Sequence, residues 1–181
     1  NEITYVSKFS FYLCNKLTAV EFETGSTLET IGWGAFGECD KLTAVTIPAS
    51  VKVLNDYAFY NCDGLKTVDF AANSKLNTIG DYAFWNDTAL TSMYVPNGVL
   101  TIKPNAYFAT GKVTLSVMEN SPAHEYAQAK NIAYTTRPTE AIVLESGACG
   151  ASAEWEYYND GTLKIIGSGA MDDYNAYDSN T

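Results

Sequence analysis

The stretch IGWGAFGECDKLTAVTIPASVKV, residues 31–53, decides the fold. Within it, residues 42–48 alternate faces, with Val45 and Ile47 on one side and Thr46 on the other. A period of two over so short a run predicts a strand, and Pro48 is tolerated where that strand ends. Ahead of the strand, Ala35, Phe36 and Cys39 stand at i, i+1 and i+4. On a helical turn those three share one face, so the sequence predicts a short helical or 3₁₀ turn that presses Phe36 inward. A small residue beside the phenylalanine follows from volume, since two large neighbours would overfill the layer.

The same pattern recurs along the chain. A small residue followed by an aromatic one returns at Ser10-Phe11, Ala35-Phe36, Ala58-Phe59, Ala83-Phe84 and Ala106-Tyr107, spaced by 25, 23, 25 and 23 residues. Six residues after each aromatic stands an aliphatic: Leu17, Leu42, Leu65, Leu90 and Val113. The first four units add an apolar pair at fixed offset, Val20/Phe22, Val45/Ile47, Val68/Phe70 and Met93/Val95. A period of this length predicts a solenoid, in which no repeat buries its own apolar face and stability comes from neighbours. Its strands would be parallel, stacked about 4.8 Å apart, with right-handed crossovers. The long units insert two residues, as FETGSTLET (22–30) and FAANSKLNT (70–78). Gly25, Ser26, Asn73 and Ser74 are turn formers, so the extra length reads as a wider surface loop.

The combination IGxxAFxxCxxLxxVxIP at 31–48 resembles the BspA-like, treponemal-type subclass of leucine-rich repeats, over roughly residues 6–118. The asparagine or cysteine ladder that follows the strand in commoner leucine-rich classes is missing. The resemblance implies an α/β, strand-dominated leucine-rich-repeat solenoid. It also implies a bacterial cell-surface or secreted protein, often an adhesin, that binds protein or glycan partners on a host or neighbouring cell.

Val6 falls in the slot held later by Ile31, Leu54, Ile79 and Ile102, so the first residues read as the inside of a repeat, with the array open at its first rung. After Ala106-Tyr107 the unit degrades: the strand shortens to VTLSV (113–117) and is followed by MENSPAHEYAQAKN. Ser121 suits a helix N-cap, Pro122 the first helical position and Asn131 the stop. A helix over 122–130 would cover the last apolar rung with Ala123, Tyr126 and Ala127, and the segment resembles the ending of arrays of this subclass. The division expected is 1–137 for the solenoid with its capping helix, and 138–181 for a small β module. In the latter, AIVLESG, AEWEYY and TLKIIGSG read as strands and Asn159-Asp160-Gly161 as a hairpin turn. The stretch 147–174 resembles a module of pattern GxCGxxxxWxxxxDGxLxIxGxGaM, which in gut-dwelling anaerobes often joins such repeats. So small a module has little core of its own, and is expected to lean on the cap or to open a further array.

The formal charge is −10, of which residues 138–181 carry −7 and the repeat body only −3. Without a basic patch, nucleic acid and anionic membrane are disfavoured as partners, and no run is long enough for membrane insertion of this segment. Four cysteines are present. Cys14, Cys39 and Cys62 occupy one column, with Asp87 next in line, and Cys149 stands alone. Adjacent rungs bring those sulfurs within reach of a disulfide or a thiolate cluster. A ladder of small buried thiols is the simpler reading, since three members cannot all pair and zinc needs four ligands with no histidine nearby. The single histidine, His124, has no nucleophile motif around it and reads as a surface residue of the capping helix. Glu21, Glu23 and Asp69 offer no paired-carboxylate cleft, and Asp172-Asp173 no spaced calcium loop. No residue is assigned to catalysis, a metal or a cofactor, and an enzyme is the least favoured class.

The strongest functional lead is aromatic. A 100° wheel puts two columns opposite the buried face, Phe9/Gly34/Tyr57/Tyr82/Asn105 and Tyr12/Gly37/Tyr60/Trp85/Phe108, seven of ten aromatic. Phe9, Tyr12, Tyr57, Tyr60, Tyr82, Trp85 and Phe108 are therefore the candidate partner-binding residues of the outward, convex side. The competing reading has these rings stacking on one another as outer packing of the repeat. Glu21, Thr46, Asp69 and Tyr94 form the central column of a second candidate surface, the concave strand face. The expected role is a non-catalytic recognition or adhesion module. The alternative is a structural spacer that displays another domain of a longer protein.

Overall fold

In the computed structural model, which describes residues 3–107, 110, 112–137, 143–150, 153–158 and 163–167, each repeat supplies two strands where the sequence pattern announced one. Along the chain they are β1 (Tyr5–Val6), β2 (Ala19–Val20), β3 (Thr30–Ile31), β4 (Ala44–Ile47), β5 (Val53–Leu54), β6 (Thr67–Phe70), β7 (Thr78–Ile79), β8 (Ser92–Tyr94), β9 (Thr101–Ile102) and β10 (Thr114–Met118). Helix α1 (Pro122–Ala129) and strand β11 (Ala133–Arg137) follow. The two-residue strands pair in the order β1-β3-β5-β7-β9, and the longer ones form the sheets β2-β4-β6 and β8-β10-β11, all parallel. The architecture is the expected leucine-rich-repeat solenoid of stacked parallel strands.

Register explains the alternating period. Val6, Ile31, Leu54, Ile79 and Ile102 are successive partners across the short-strand sheet, so the 25 and 23 spacing is a property of pairing as well as of sequence. Both longer loops use one local device. Gly25 and Asn73 take positive φ, and in the next residue the hydroxyls of Ser26 and Ser74 accept the main-chain N–H of Leu28 and Leu76. A left-handed residue followed by a serine turn absorbs the two extra residues without disturbing the buried column, in which Leu28, Val51, Leu76 and Val99 are all buried.

The segment ahead of each long strand turns as foreseen, though not as a continuous 3₁₀ run. In the second rung Ala35 and Gly37 donate to the carbonyls of Gly32 and Gly34, while Gly34, Phe36 and Glu38 donate to Asp56, Ala58 and Tyr60 of the next rung. Alternate N–H groups thus close local turns or tie neighbouring rungs together. Inside, one aromatic per rung forms a column: Phe11, Phe36, Phe59, Phe84 and Tyr107 stack with centroids 5.1, 5.4, 5.8 and 5.3 Å apart. Phe36, Phe59 and Phe84 are fully buried, worth about 1.5–3 kcal/mol each in transfer terms. Phe11 remains 43% exposed, and a cleft of about 750 Å³ opens beside it between Leu17, Val20, Phe22 and Leu28.

The end of the column is closed by α1, but the ladder of strands does not stop there. Ser121 accepts the N–H of His124 as N-cap, Pro122 opens the helix, and Asn131 takes φ +53 just past its end. Ala123 and Ala127 are buried, and the Tyr126 ring meets Tyr107 at 6.1 Å. The helix stands next after β9, where a further short strand would be, and its chain then returns as β11, paired parallel with β10. The helix covers the last ring of the column as expected, and is also the crossover into a sixth rung. One expectation is corrected here. β10, paired on both sides, has five residues and is longer than the strands before it.

The chain divides into two compact units, Asn1–Pro138 and Thr139–Thr181. The second holds an antiparallel sheet of β12 (Val143–Gly150), β13 (Ala153–Tyr158) and β14 (Leu163–Gly167), in that order. Gly147 pairs with Trp155, and a Cβ there would fall 2.8 Å from the indole nitrogen, so the ring needs a glycine beneath it. The expected turn at Asn159-Asp160-Gly161, Asp172-Asp173 and the side chain of Cys149 lie outside the described residues.

Candidate partner-binding surface

The aromatic columns owe their direction to the backbone. In every rung of the first four, two positions take left-handed φ: Phe9, Gly34, Tyr57 and Tyr82 at the first, and Leu13, Glu38, Asn61 and Asn86 at the second. Gly34 and the two asparagines suit that conformation, while the rings, Leu13 and Glu38 do so at a cost of about 1–2 kcal/mol each. Ring stacking and the ties between rungs offset it.

Outside the core the rings form a second, continuous stack. Phe9 meets Trp33 edge-on at 4.7 Å, Trp33 meets Tyr57 at 4.7 Å, and Tyr57 stacks on Tyr82 at 5.0 Å. Alongside, Tyr60 stacks on Trp85 at 5.2 Å, and edge contacts join Phe9 to Tyr12 and Tyr57 to Tyr60 at 5.2 and 5.6 Å. Six of the seven candidates are therefore brought together; Phe108 lies outside the described residues. Most are only partly covered, and Phe9 is 46% exposed.

The column reading missed Trp33, which is 39% exposed and bridges Phe9 to Tyr57. The signal was available: the second rung, the one with glycine in both outer columns, carries a tryptophan one place earlier. Both glycines lie under borrowed rings. A Cβ on Gly34 would come within 3.1 Å of Phe9, and one on Gly37 within 3.0 Å of Tyr60 and 3.2 Å of Tyr12. Beside the rings runs a polar chain. Tyr60 Oη donates to Glu38 Oε1, Asn61 Nδ2 to Glu38 Oε2 at 2.7 Å, and Asn86 Nδ2 to Asn61 Oδ1 at 2.6 Å. The hydrogen bond to Glu38 pushes the Tyr60 phenol up to about 12, with burial adding to it.

The second candidate face is also present. Thr46 and Asp69 are direct strand partners, and Glu21, Thr46, Asp69 and Tyr94 are all exposed on the outer side of the long strands. Arg137 of β11 was not anticipated there. Its guanidinium lies 4.1 Å from the Tyr94 ring centroid while Nη2 donates to the carbonyl of Val95 at 2.9 Å and to Asn97 at 3.1 Å.

Cys14, Cys39 and Cys62 are free thiols. Cys39 and Cys62 are buried, and each Sγ donates at 3.1 Å to the carbonyl of the aromatic in the preceding rung, Phe11 and Phe36. The neighbouring Cys39 and burial push the Cys62 thiol up, so it stays protonated. His124 Nδ1 accepts the N–H of Asn120 at 3.1 Å and its ring meets Tyr134 edge-on at 4.8 Å, which fixes the start of the helix. Among the described residues no three His, Cys, Asp or Glu side chains are placed to hold a metal ion, and no helix is long and apolar enough to cross a membrane.

Residues 1–123 match the family model described as the BspA type leucine-rich repeat region, in six copies. No curated protein matches the chain significantly. Among solved structures, the T. pallidum leucine-rich-repeat protein TpLRR is similar at 25% identity and a TM-score of 0.58, over 62% of this chain and 51% of its own. A leucine-rich cell surface protein from Faecalibacterium prausnitzii has 20% identity and a TM-score of 0.53, over 69% of this chain and 33% of its own. A leucine-rich-repeat protein from Bacteroides ovatus has 21% identity and a TM-score of 0.53, over 74% of this chain and 33% of its own. The chain thus spans about half the length of the first and a third of the other two, and the last two likenesses concern the fold alone.

Proposed function

Since this chain belongs to the family of BspA-type leucine-rich repeats, we propose that it is a non-catalytic recognition module of a secreted or cell-surface bacterial protein. It engages a partner along the outward aromatic row of Phe9, Tyr12, Trp33, Tyr57, Tyr60, Tyr82 and Trp85. The observation that carries this reading is a continuous, partly exposed run of rings outside the core. That the F. prausnitzii protein of similar fold is a cell surface protein supports a surface location.

Between a glycan and a protein partner, ring geometry favours the protein. A sugar packs its C–H face on the face of an aromatic ring, yet here the faces of Tyr57, Tyr60, Tyr82 and Trp85 are turned to one another. What points outward is ring edge, whose positive rim suits the carbonyls and side chains of a protein surface. The test is a screen of the purified chain against protein and glycan panels, repeated with Tyr60→Ala/Trp85→Ala. Binding lost in that variant while its circular dichroism is unchanged is the expected result. Equal binding by both proteins refutes the aromatic row as the site, and a hit only among glycans refutes the preference for protein.

One observation favours the spacer reading: mutual stacking gives every ring of the row a packing role even without a partner. In that case neither panel yields a ligand, and the double variant loses stability alone.

A further inference from the structure

The column that holds the thiols contains one member of another kind. Asp87 is fully buried in the fourth rung. Its Oδ1 accepts the main-chain N–H of Cys62 at 2.7 Å, and Oδ2 is buried with no partner among the described residues. No cation offsets it: the ion pairs among the described residues are Lys52–Glu29 and Lys103–Asp56. The charged group that acts on it is the Asp63 carboxylate of the third rung, which repels a second negative charge. The other titratable groups buried in the adjacent rungs, the Cys62 thiol below and the Tyr107 phenol above, are both shifted upward and stay neutral. A carboxylate with one hydrogen bond in such a place is among the costliest groups a core can hold.

The column itself shows what the site accommodates. Cys39, Cys62 and Thr110 each donate a proton to the carbonyl of the aromatic residue in the rung before, at Phe11, Phe36 and Phe84, with distances of 3.1, 3.1 and 2.6 Å. The position is a donor position. In Asp87's rung the corresponding acceptor is the carbonyl of Phe59, which receives no other hydrogen bond among the described residues. We infer that Asp87 is held as a neutral carboxylic acid whose Oδ2–H donates to the carbonyl of Phe59, a proton-dependent latch between the third and fourth rungs. Burial pushes its carboxyl well above the usual carboxylate range, in keeping with that placement.

The sign follows. The folded chain binds this proton more tightly than the unfolded one, so the latch is at full strength below the ordinary aspartate range. It weakens steadily as pH rises from about 4 toward the folded value. An asparagine would accept from Cys62 and donate to Phe59 at any pH. The experiment is urea unfolding of the full chain, wild type and Asp87→Asn, at steps from about pH 4 to 8, with ¹³C spectra of the aspartate carboxyls. The wild-type folding constant should fall relative to the variant by up to about tenfold per pH unit between the ordinary aspartate value and the folded one. One wild-type carboxyl should keep its protonated shift at neutral pH and be missing from the variant. Parallel pH dependence of the two proteins, or every aspartate titrating near pH 4, overturns the inference. Should the variant fail to fold, the wild-type carboxyl spectrum decides alone.

Discussion

At the scale of single residues, what the sequence made legible is the identity of columns. Leu28, Val51, Leu76 and Val99 were readable as one core line because each is apolar and the loops between them lengthen only outside it. The left-handed positions were not readable, because tyrosine, leucine and glutamate fill them as well as glycine and asparagine do. Glu38 shows the consequence. Its backbone conformation delivers the carboxylate to the Tyr60 hydroxyl one rung on, and the bond holds that phenol at about 12. The folded value lies above the ordinary tyrosine range near 10. The contribution to stability is therefore fully present below about pH 10 and is lost as pH climbs from there toward about 12. In Glu38→Gln the neutral amide no longer resists tyrosinate. The Tyr60 ring resonances, assigned with Tyr60→Phe, should then titrate at lower pH than in wild type. An unchanged titration would mean that Glu38 does not set it.

At the scale of elements, the helix was the most readable piece, since Ser121, Pro122 and Asn131 each state a backbone requirement. Strand β11 was not, because AYTTR shows no alternation in burial: it is an edge strand whose residues are mostly exposed on both sides. The short strands were equally silent, two residues being too few for any period. The helix start carries more than its own cap. Ser121 Oγ accepts from His124 at 3.2 Å and donates to the carbonyl of Met118 at 2.7 Å, so one hydroxyl ties α1 to the end of β10. Replacing it by alanine orphans the N–H of His124 and leaves the Met118 carbonyl with only the main-chain N–H of residue 121. Ser121→Ala should lose about 1–2 kcal/mol by chemical denaturation, against about 0.5 kcal/mol or less for an exposed serine such as Ser92. Equal losses at the two sites would show that the tie adds nothing.

At the scale of the whole repeat body, each rung packs mainly on its neighbours, with the Lys103–Asp56 pair and the bonds of Arg137 to Val95 and Asn97 reaching one rung further, so stability is closer to a sum of rung terms and interface terms than to a property of one core. The interior rungs have both. Phe36, Phe59 and Phe84 are each covered on both faces by the next ring of the column and are essentially inaccessible. The first rung is packed on one side only: Phe11, Tyr5 and Leu13 are all more than 40% exposed. At the other end β11 has β10 on one side and, among the described residues, no strand beyond it in its sheet. Local opening follows the number of buried neighbours, so it should be cheapest at the two ends and dearest in the middle. Amide hydrogen exchange on the folded chain should therefore show graded protection. The donors that tie rungs two to four, such as Phe36, Phe59 and Asn61, should exchange slowest. Those of rung one, such as Phe11 and Leu13, should exchange faster by about a hundredfold or more, although they make the same bonds to the next rung. The comparison holds hydrogen-bond geometry constant and varies only burial. Uniform protection from end to end would mean that the body opens as a single cooperative unit, and that the aromatic column couples all its rungs more tightly than neighbour contacts alone provide.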